Sequence, residues 1–309
     1  MKILPLLTAF FLLPLLTAHA QPDSLPYVVV LGVAQDGGYP HIGCQRQCCK
    51  LSWKNEAMRR HVVSLALVDP AEKKWWLFEA TPDINEQLHL FSALTQNTYS
   101  YLPQGIFITH AHIGHYTGLM ELGREALGAK EIPVYTLPRM AAFLENNGPW
   151  GQLVQLKNIA LKILNTDSIL SLTPQVDIIP FTVPHRDEYS ETAGFYIFTK
   201  NKKYVFIPDI DKWSKFEKNI LTVVKNVDIA FLDATFCNPG ELPNRNMAEV
   251  PHPFVIETMT LFEKENIAIK KKIHFIHFNH TNPILWDEGQ RAQIIQAGFN
   301  IAIQGDIYK

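Results

Sequence analysis

Short apolar segments that read as strands alternate with amphipathic segments that read as helices along most of the chain. That alternation restricts the fold more than any other feature. Residues 27–34 (YVVVLGVA) form a continuous apolar run, as in a strand buried on both faces. Residues 63–68 and 75–79 read as two more strands, a hairpin across 70–74. Further strands are expected at 106–109, 176–183, 193–199, 203–207, 229–232, 273–278 and 299–304. Between them, helices are expected from Thr81-Pro82 onward and at 116–127, 211–225, 253–264 and 283–297. Trp213, Phe216, Ile220, Val223 and Val224 form an apolar stripe with helical spacing. Such a chain builds layers, with helices covering sheets. With 47% of its 309 residues hydrophobic and a formal charge of −2, it has a core to bury and no electrostatic footprint for nucleic acid.

Residues 1–20 read as a segment outside that fold. Lys2 supplies a positive start, 3–16 are apolar apart from Pro5, Thr8 and Pro14, and Ala18-His19-Ala20 places small residues before Gln21. This is the pattern of a secretory signal peptide cleaved before Gln21. The run is too short, and too interrupted by proline, to anchor the chain in a bilayer. The expectation is an exported protein, periplasmic or secreted, with residues 21–309 as one domain and no stable membrane insertion after cleavage. Four cysteines would then meet oxidising conditions: Cys44, Cys48, Cys49 and Cys237. Neighbouring Cys48 and Cys49 cannot bridge each other without strain, and clustered Cys near His more often marks a metal knot.

The histidines carry the chemistry. Thr109-His110-Ala111-His112-Ile113-Gly114-His115 follows directly on the strand at 106–109. A turn there can aim His110 and His112 at one point, with His115 close by. Imidazole is a good ligand for zinc and similar ions, and three rings can serve one ion or be divided between two. His185, Asp209 and His277 stand at the carboxyl ends of later strands, where sites gather in layered α/β folds.

This ordered set resembles the metallo-β-lactamase superfamily, whose HxHxDH motif is followed by a lone His, a lone Asp and a last His. Gly118 after the motif also fits. Residues 37–49 (GGYPHIGCQRQCC), Arg59-Arg60 with Ser64, residues 79–88 (EATPDINEQL) and residues 277–285 (HFNHTNPIL) resemble a subgroup, the coenzyme PQQ synthesis protein B and PhnP-type cyclic phosphodiesterases. The resemblance implies an α/β (α+β) fold of four layers, an αββα sandwich. It implies that His110, His112 and His185 hold a first ion, that Asp209 bridges, and that His115 and His277 hold a second. The ions would be Zn2+, or Mn2+ or Fe2+, one or two in number. Gly114 departs from the family, because it stands where the motif has its Asp. The second site should then bind more weakly or recruit water or another residue. Asp36, Asp211 and Asp233 are candidates, and the sequence selects none of them.

The PhnP-like pattern further implies a structural zinc held by Cys44, Cys48, Cys49 and His280. The spacing here is C-x-x-x-C-C rather than C-x-C-x-x-C, and His41 is a spare ligand. His252, between Pro251 and Pro253, occupies a stretch comparable to that of a general-acid His in related phosphodiesterases, with a helix-start residue as the plain alternative. His61, His89 and His274 read as surface or core, and Cys237 as a lone thiol. The implied activity is hydrolysis of a small-molecule phosphodiester, lactone or other ester by metal-activated water, with Asp209 and His252 as catalytic residues. Two competing readings are a PQQ-pathway step in which the metal activates oxygen, and a non-catalytic periplasmic carrier of metal or ligand. No nucleic-acid partner is expected, and a homodimer is compatible with the sequence.

Overall fold

A computed structural model describes residues 24–242 and 245–309; the signal-peptide reading falls on residues outside these. The first sheet is built from β1 (Tyr27–Gly32), β2 (Ser64–Asp69), β3 (Lys74–Phe78), β4 (Ile106–Phe107), β5 (Ile132–Thr136) and β6 (Ile159–Ile163). These lie side by side in that order. The first three pair antiparallel and the rest parallel. The second sheet runs from β7 (Leu170–Thr173) through β8 (Val176–Val183), β9 (Thr192–Thr199), β10 (Lys203–Ile207), β11 (Ile229–Asp233) and β12 (Ile273–Ile276) to β13 (Asn300–Ile301). It is antiparallel as far as β10 and parallel beyond. The last strand, β14 (Ile307–Tyr308), returns to the outer edge of β1.

The two sheets face each other across an aromatic core. Phe78 of β3 stacks on Phe107 of β4 at 4.8 Å, and Phe195 and Phe206 of the opposite sheet meet it edge-on at 5.4 and 6.0 Å. Offset and edge-to-face contacts are the arrangements that aromatic quadrupoles favour. Helices cover the outer faces. The helices are α1 (Gln47–Lys54), α2 (Ile84–Leu94), α3 (Ile113–Tyr116), α4 (Pro138–Asn146), α5 (Trp150–Gln155), α6 (Ile220–Lys225), α7 (Val255–Leu261), α8 (Ile267–Lys270) and α9 (Glu288–Gln296). Residues of α2, α4 and α5 share an apolar cluster with the outer face of the first sheet, where Phe91 stacks on Trp75 at 4.0 Å. Val223, Val255 and Ile294, from α6, α7 and α9, join the cluster of the second sheet. The expected αββα sandwich is the observed one.

Several elements are shorter than the sequence pattern predicts. The helix expected at 116–127 is instead α3 followed by a 3-10 segment, Thr117–Leu122. Gly118 explains this, since its N–H bonds the Ala80 carbonyl at 2.9 Å and a Cβ there would lie 2.1 Å from the Thr81 oxygen. The helix expected at 211–225 breaks into a 3-10 turn, Trp213–Lys215, and α6, because Asn219 caps the Thr222 N–H and restarts the chain. The helix expected at 283–297 splits likewise, with Asn282 capping the 3-10 turn Pro283–Leu285 and Asp287 capping α9. The helix at 253–264 contracts to α7, and the strand at 299–304 contracts to β13.

Candidate metal centre

The strand ends deliver the ligands. Beyond β4 the Thr109 N–H donates to the Glu79 carboxylate at 3.2 Å, and the Ala111 N–H donates to the Ser190 hydroxyl at 2.9 Å. These two bonds hold the backbone that carries His110, His112 and His115. His185 lies two residues past β8, Asp209 two past β10, and His277 directly after β12. His277 and Glu79 both have positive φ, +67° and +73°. For residues with a Cβ that is backbone strain, of the kind that persists where the surrounding structure over-determines a position.

The side chains converge on Asp209, which is 2% exposed. Its Oδ2 lies 3.3 Å from His110 Nε2, 3.2 Å from His185 Nε2 and 3.8 Å from both His112 Nδ1 and His115 Nε2. One set of close ligand atoms comprises His110, His112, His185 and Asp209; another comprises Asp36, His115 and His277. The structure therefore brings together all six residues expected from the motif pattern, and adds Asp36.

The donor atoms fit a cation. Among the described residues, the Nε2 atoms of His110, His115 and His277 and one oxygen each of Asp36 and Asp209 are buried without a hydrogen bond. Buried polar atoms left unpaired are costly, and cations held by these ligand sets would satisfy them. Behind the ligands, the Thr109 hydroxyl lies 2.8 Å from His110 Nδ1, the Glu79 carboxylate 3.2 Å from His115 Nδ1, and the Thr235 hydroxyl 2.8 Å from His277 Nδ1. Such partners fix the ring orientation and so the nitrogen that ligates. Sequence reasoning missed Glu79 and Thr235, whose roles depend on contacts between separate strands.

The electrostatics follow from burial and charge. Burial opposes ionisation of Asp209, yet His185 and His252 hold its carboxyl well below the usual range. Burial and the neighbouring His115 push His110 well down. For His115, burial is outweighed by the Glu79 and Asp36 carboxylates, which raise it. His252 stands over the cluster, with Nδ1 2.9 Å from Asp233 Oδ2 and 3.2 Å from Asp209 Oδ1. Burial lowers its pKa, but the two carboxylates win and raise it to about 10. His252 also lines a cavity of about 480 Å³ with Gln35, Arg186, Phe236, Arg245 and Asn279.

At the cysteine loop, Cys44, Cys49 and His280 bring their ligand atoms together. Cys48 is not among these three, although its thiol adjoins those of Cys44 and Cys49. Burial, then the Cys44 charge, push the Cys48 thiol up, and burial takes Cys49 to about 12. The His41 ring stacks on His280 at 4.3 Å. All four cysteines are free thiols, and Cys237 is buried and outside this ligand set.

The fold and the site define a metal-binding member of the metallo-β-lactamase fold. A family model described as the beta-lactamase superfamily domain matches residues 74–278, and the chain belongs to that superfamily. It is 23% identical over 310 residues to a coenzyme PQQ synthesis protein B of Methylorubrum extorquens, covering 90% of this chain and 98% of that protein. A homologue of that name from Gluconobacter oxydans is 24% identical over 307 residues, covering 91% and 98%. Among solved structures, Zn2+-bound PqqB from Methylobacterium extorquens superposes with a TM-score of 0.73 at 21% identity, covering 92% of this chain and 99% of that one. A diphosphatase from the PhnP family superposes with a TM-score of 0.64 at 22% identity, covering 92% and 96%.

Proposed function

We propose that this chain is an exported metal-dependent hydrolase that cleaves a small anionic ester, a phosphodiester foremost, using zinc held by the His/Asp cluster. The observation that carries this reading is the cavity beside His252, which is lined by two arginines, Arg186 and Arg245, against one acid, Glu249. Arginine matches the geometry and charge of a phosphate group. A lactone without an anionic group would leave that charge unused.

A zinc ion at the cluster would supply a water of lowered pKa and polarise the scissile group. His110, His112 and His185 would hold one ion, and His115 and His277 another, with Asp209 placed between the two sets. Asp209 also orients the attacking oxygen. Asp233 accepts a hydrogen bond from Nδ1–H of the His252 imidazolium, which leaves Nε2–H to protonate the departing oxygen. Arg186 and Arg245 hold the substrate's charge against the cluster. Among the described residues, no helix is long and apolar enough to cross a membrane.

The test is turnover of a chromogenic phosphodiester by zinc-loaded protein. Activity should disappear in His110→Ala and on chelation; failure of a fully zinc-loaded protein to turn over any phosphodiester refutes the reading. Arg245→Ala should raise KM about tenfold with kcat within a factor of about three, because loss of one charged hydrogen bond costs about 1.5 kcal/mol of uniform binding.

A further zinc, outside the His/Asp cluster, is proposed at Cys44, Cys49 and His280, in a structural role. Cys49→Ser should remove one bound ion and lower the melting midpoint by about 5 °C or more. Metal analysis beside calorimetry measures both. Unchanged metal content would return these residues to the status of free thiols.

A second reading follows from the name shared by the curated relatives over nine-tenths of this chain, coenzyme PQQ synthesis protein B. In it, a redox-active ion in the same cluster activates oxygen on a biosynthetic intermediate. Full activity with zinc alone would exclude it.

A further inference from the structure

We propose that Asp36 is the carboxylate ligand of the second ion, so that the centre is dinuclear although the motif's own acidic position is Gly114. This rests on the metal centre described above, but not on the reaction assigned to it.

The first observation is steric. A Cβ built on Gly114 would lie 2.3 Å from Asp36 Oδ1 and 2.5 Å from Asp36 Cα. The two positions exclude each other. A motif Asp could not stand at 114 while Asp36 holds its place, and the glycine is what admits the Asp36 carboxylate. Position 114 lies in α3 and Asp36 in the loop after β1, and the two compete for one space.

The second observation is chemical. Asp36 Oδ1 lies 3.3 Å from His115 Nε2 and forms one ligand set with His115 and His277. Asp36 Oδ1 and the Nε2 atoms of both histidines are buried without a hydrogen bond. Three unpaired donor atoms of two residue types facing one point suit a divalent ion with nitrogen and oxygen ligands. The Asp209 carboxylate, 3.8 Å from His115, lies within reach as a shared fourth ligand.

The third observation is how the chain fixes Asp36. Ala34 bridges to both Val62 and Phe278, the Gln35 N–H donates to the Phe278 carbonyl at 2.8 Å, and the Gly38 N–H closes a turn on the Gln35 carbonyl at 2.8 Å. The turn carrying Asp36 is thus tied to the residue after His277. Both groups are placed by one short backbone ladder.

The other acids are already engaged. Asp233 accepts from the Thr235 N–H and hydroxyl with one oxygen, and from the Ile210 N–H and His252 with the other. Asp211 pairs with Lys215 at 2.6 Å and accepts from the Lys212 N–H. Only Asp36 of the three presents an unpaired oxygen to the cluster.

The experiment titrates zinc into metal-depleted full-length protein against a chromophoric chelator, with melting curves for each variant. The Asp36→Asn and Asp36→Ala proteins should each bind one fewer ion, or bind the second about 100-fold more weakly, while the first ion and the melting midpoint of the metal-free protein stay unchanged. Gly114→Ala should produce the same loss with Asp36 still present, because the new methyl group displaces the carboxylate. Asn keeps the shape of Asp, so its loss of the ion reads out ligation rather than folding. Unchanged zinc number and affinity in both Asp36 variants overturns the proposal, as does a wild-type His/Asp cluster that holds one ion only. The readout is bound zinc, so protein that hydrolyses nothing leaves this test intact.

Discussion

Asp209→Asn is expected to reduce phosphodiester turnover by about 10³-fold or more while preserving the fold. The side chain is almost fully buried and faces His110, His112, His115 and His185 within 3.8 Å. Asparagine fills the same volume but removes the negative charge those rings surround. It also offers an N–H₂ group, a donor, where the cluster needs an acceptor. Loss of about 4 kcal/mol of transition-state stabilisation corresponds to about 10³ in rate, a modest share of what a metal centre contributes. Steady-state kinetics beside metal analysis separates the two routes to this loss. Less bound zinc indicates weaker ligation, and full zinc with slow turnover indicates a misdirected nucleophile. Retention of more than about a tenth of wild-type activity would remove Asp209 from the mechanism.

Phe78→Ala should carry the largest cost in stability. Its ring lies between the sheets, stacked on Phe107 and met edge-on by Phe195 and Phe206, with no exposed surface. Truncating a buried Phe to Ala costs about 3–5 kcal/mol, through lost burial and the cavity left behind. A domain has roughly 5–15 kcal/mol in total, so much of the margin goes. Glu79, the next residue, holds the Thr109 N–H and His115, so the damage should extend to the centre. Urea unfolding of the metal-free proteins measures the cost directly. A change below about 1 kcal/mol would mean that the two sheets close over the gap.

Most of the layer plan is legible in the sequence because apolar runs such as 27–34 and 203–207 leave no alternative to buried strands. The region between the motif and β8 is less legible. Strands β5, β6 and β7 are half-exposed, and residues 159–163 (IALKI) carry no clean alternation. Helix lengths are overestimated wherever an Asn or Asp restarts the chain, as at Asn219 and Asp287, because local capping competes with apolar periodicity. At the site, the six motif residues stand in a recognisable order. Asp36 is different. Its role depends on a loop from β1 meeting a glycine about 80 positions away, which no local pattern records.

The proposed ligands come from both halves of the sandwich. Asp36, His110, His112 and His115 follow strands of one sheet, and His185, Asp209 and His277 follow strands of the other. An ion seated among them acts as a rivet through the open rim, and only the assembled protein offers it all of its contacts. At a free concentration 1,000 times the dissociation constant, that preference is worth about 4 kcal/mol. On the proposed reading, the supply of metal in the surroundings would set the stability of the folded chain as well as its chemistry.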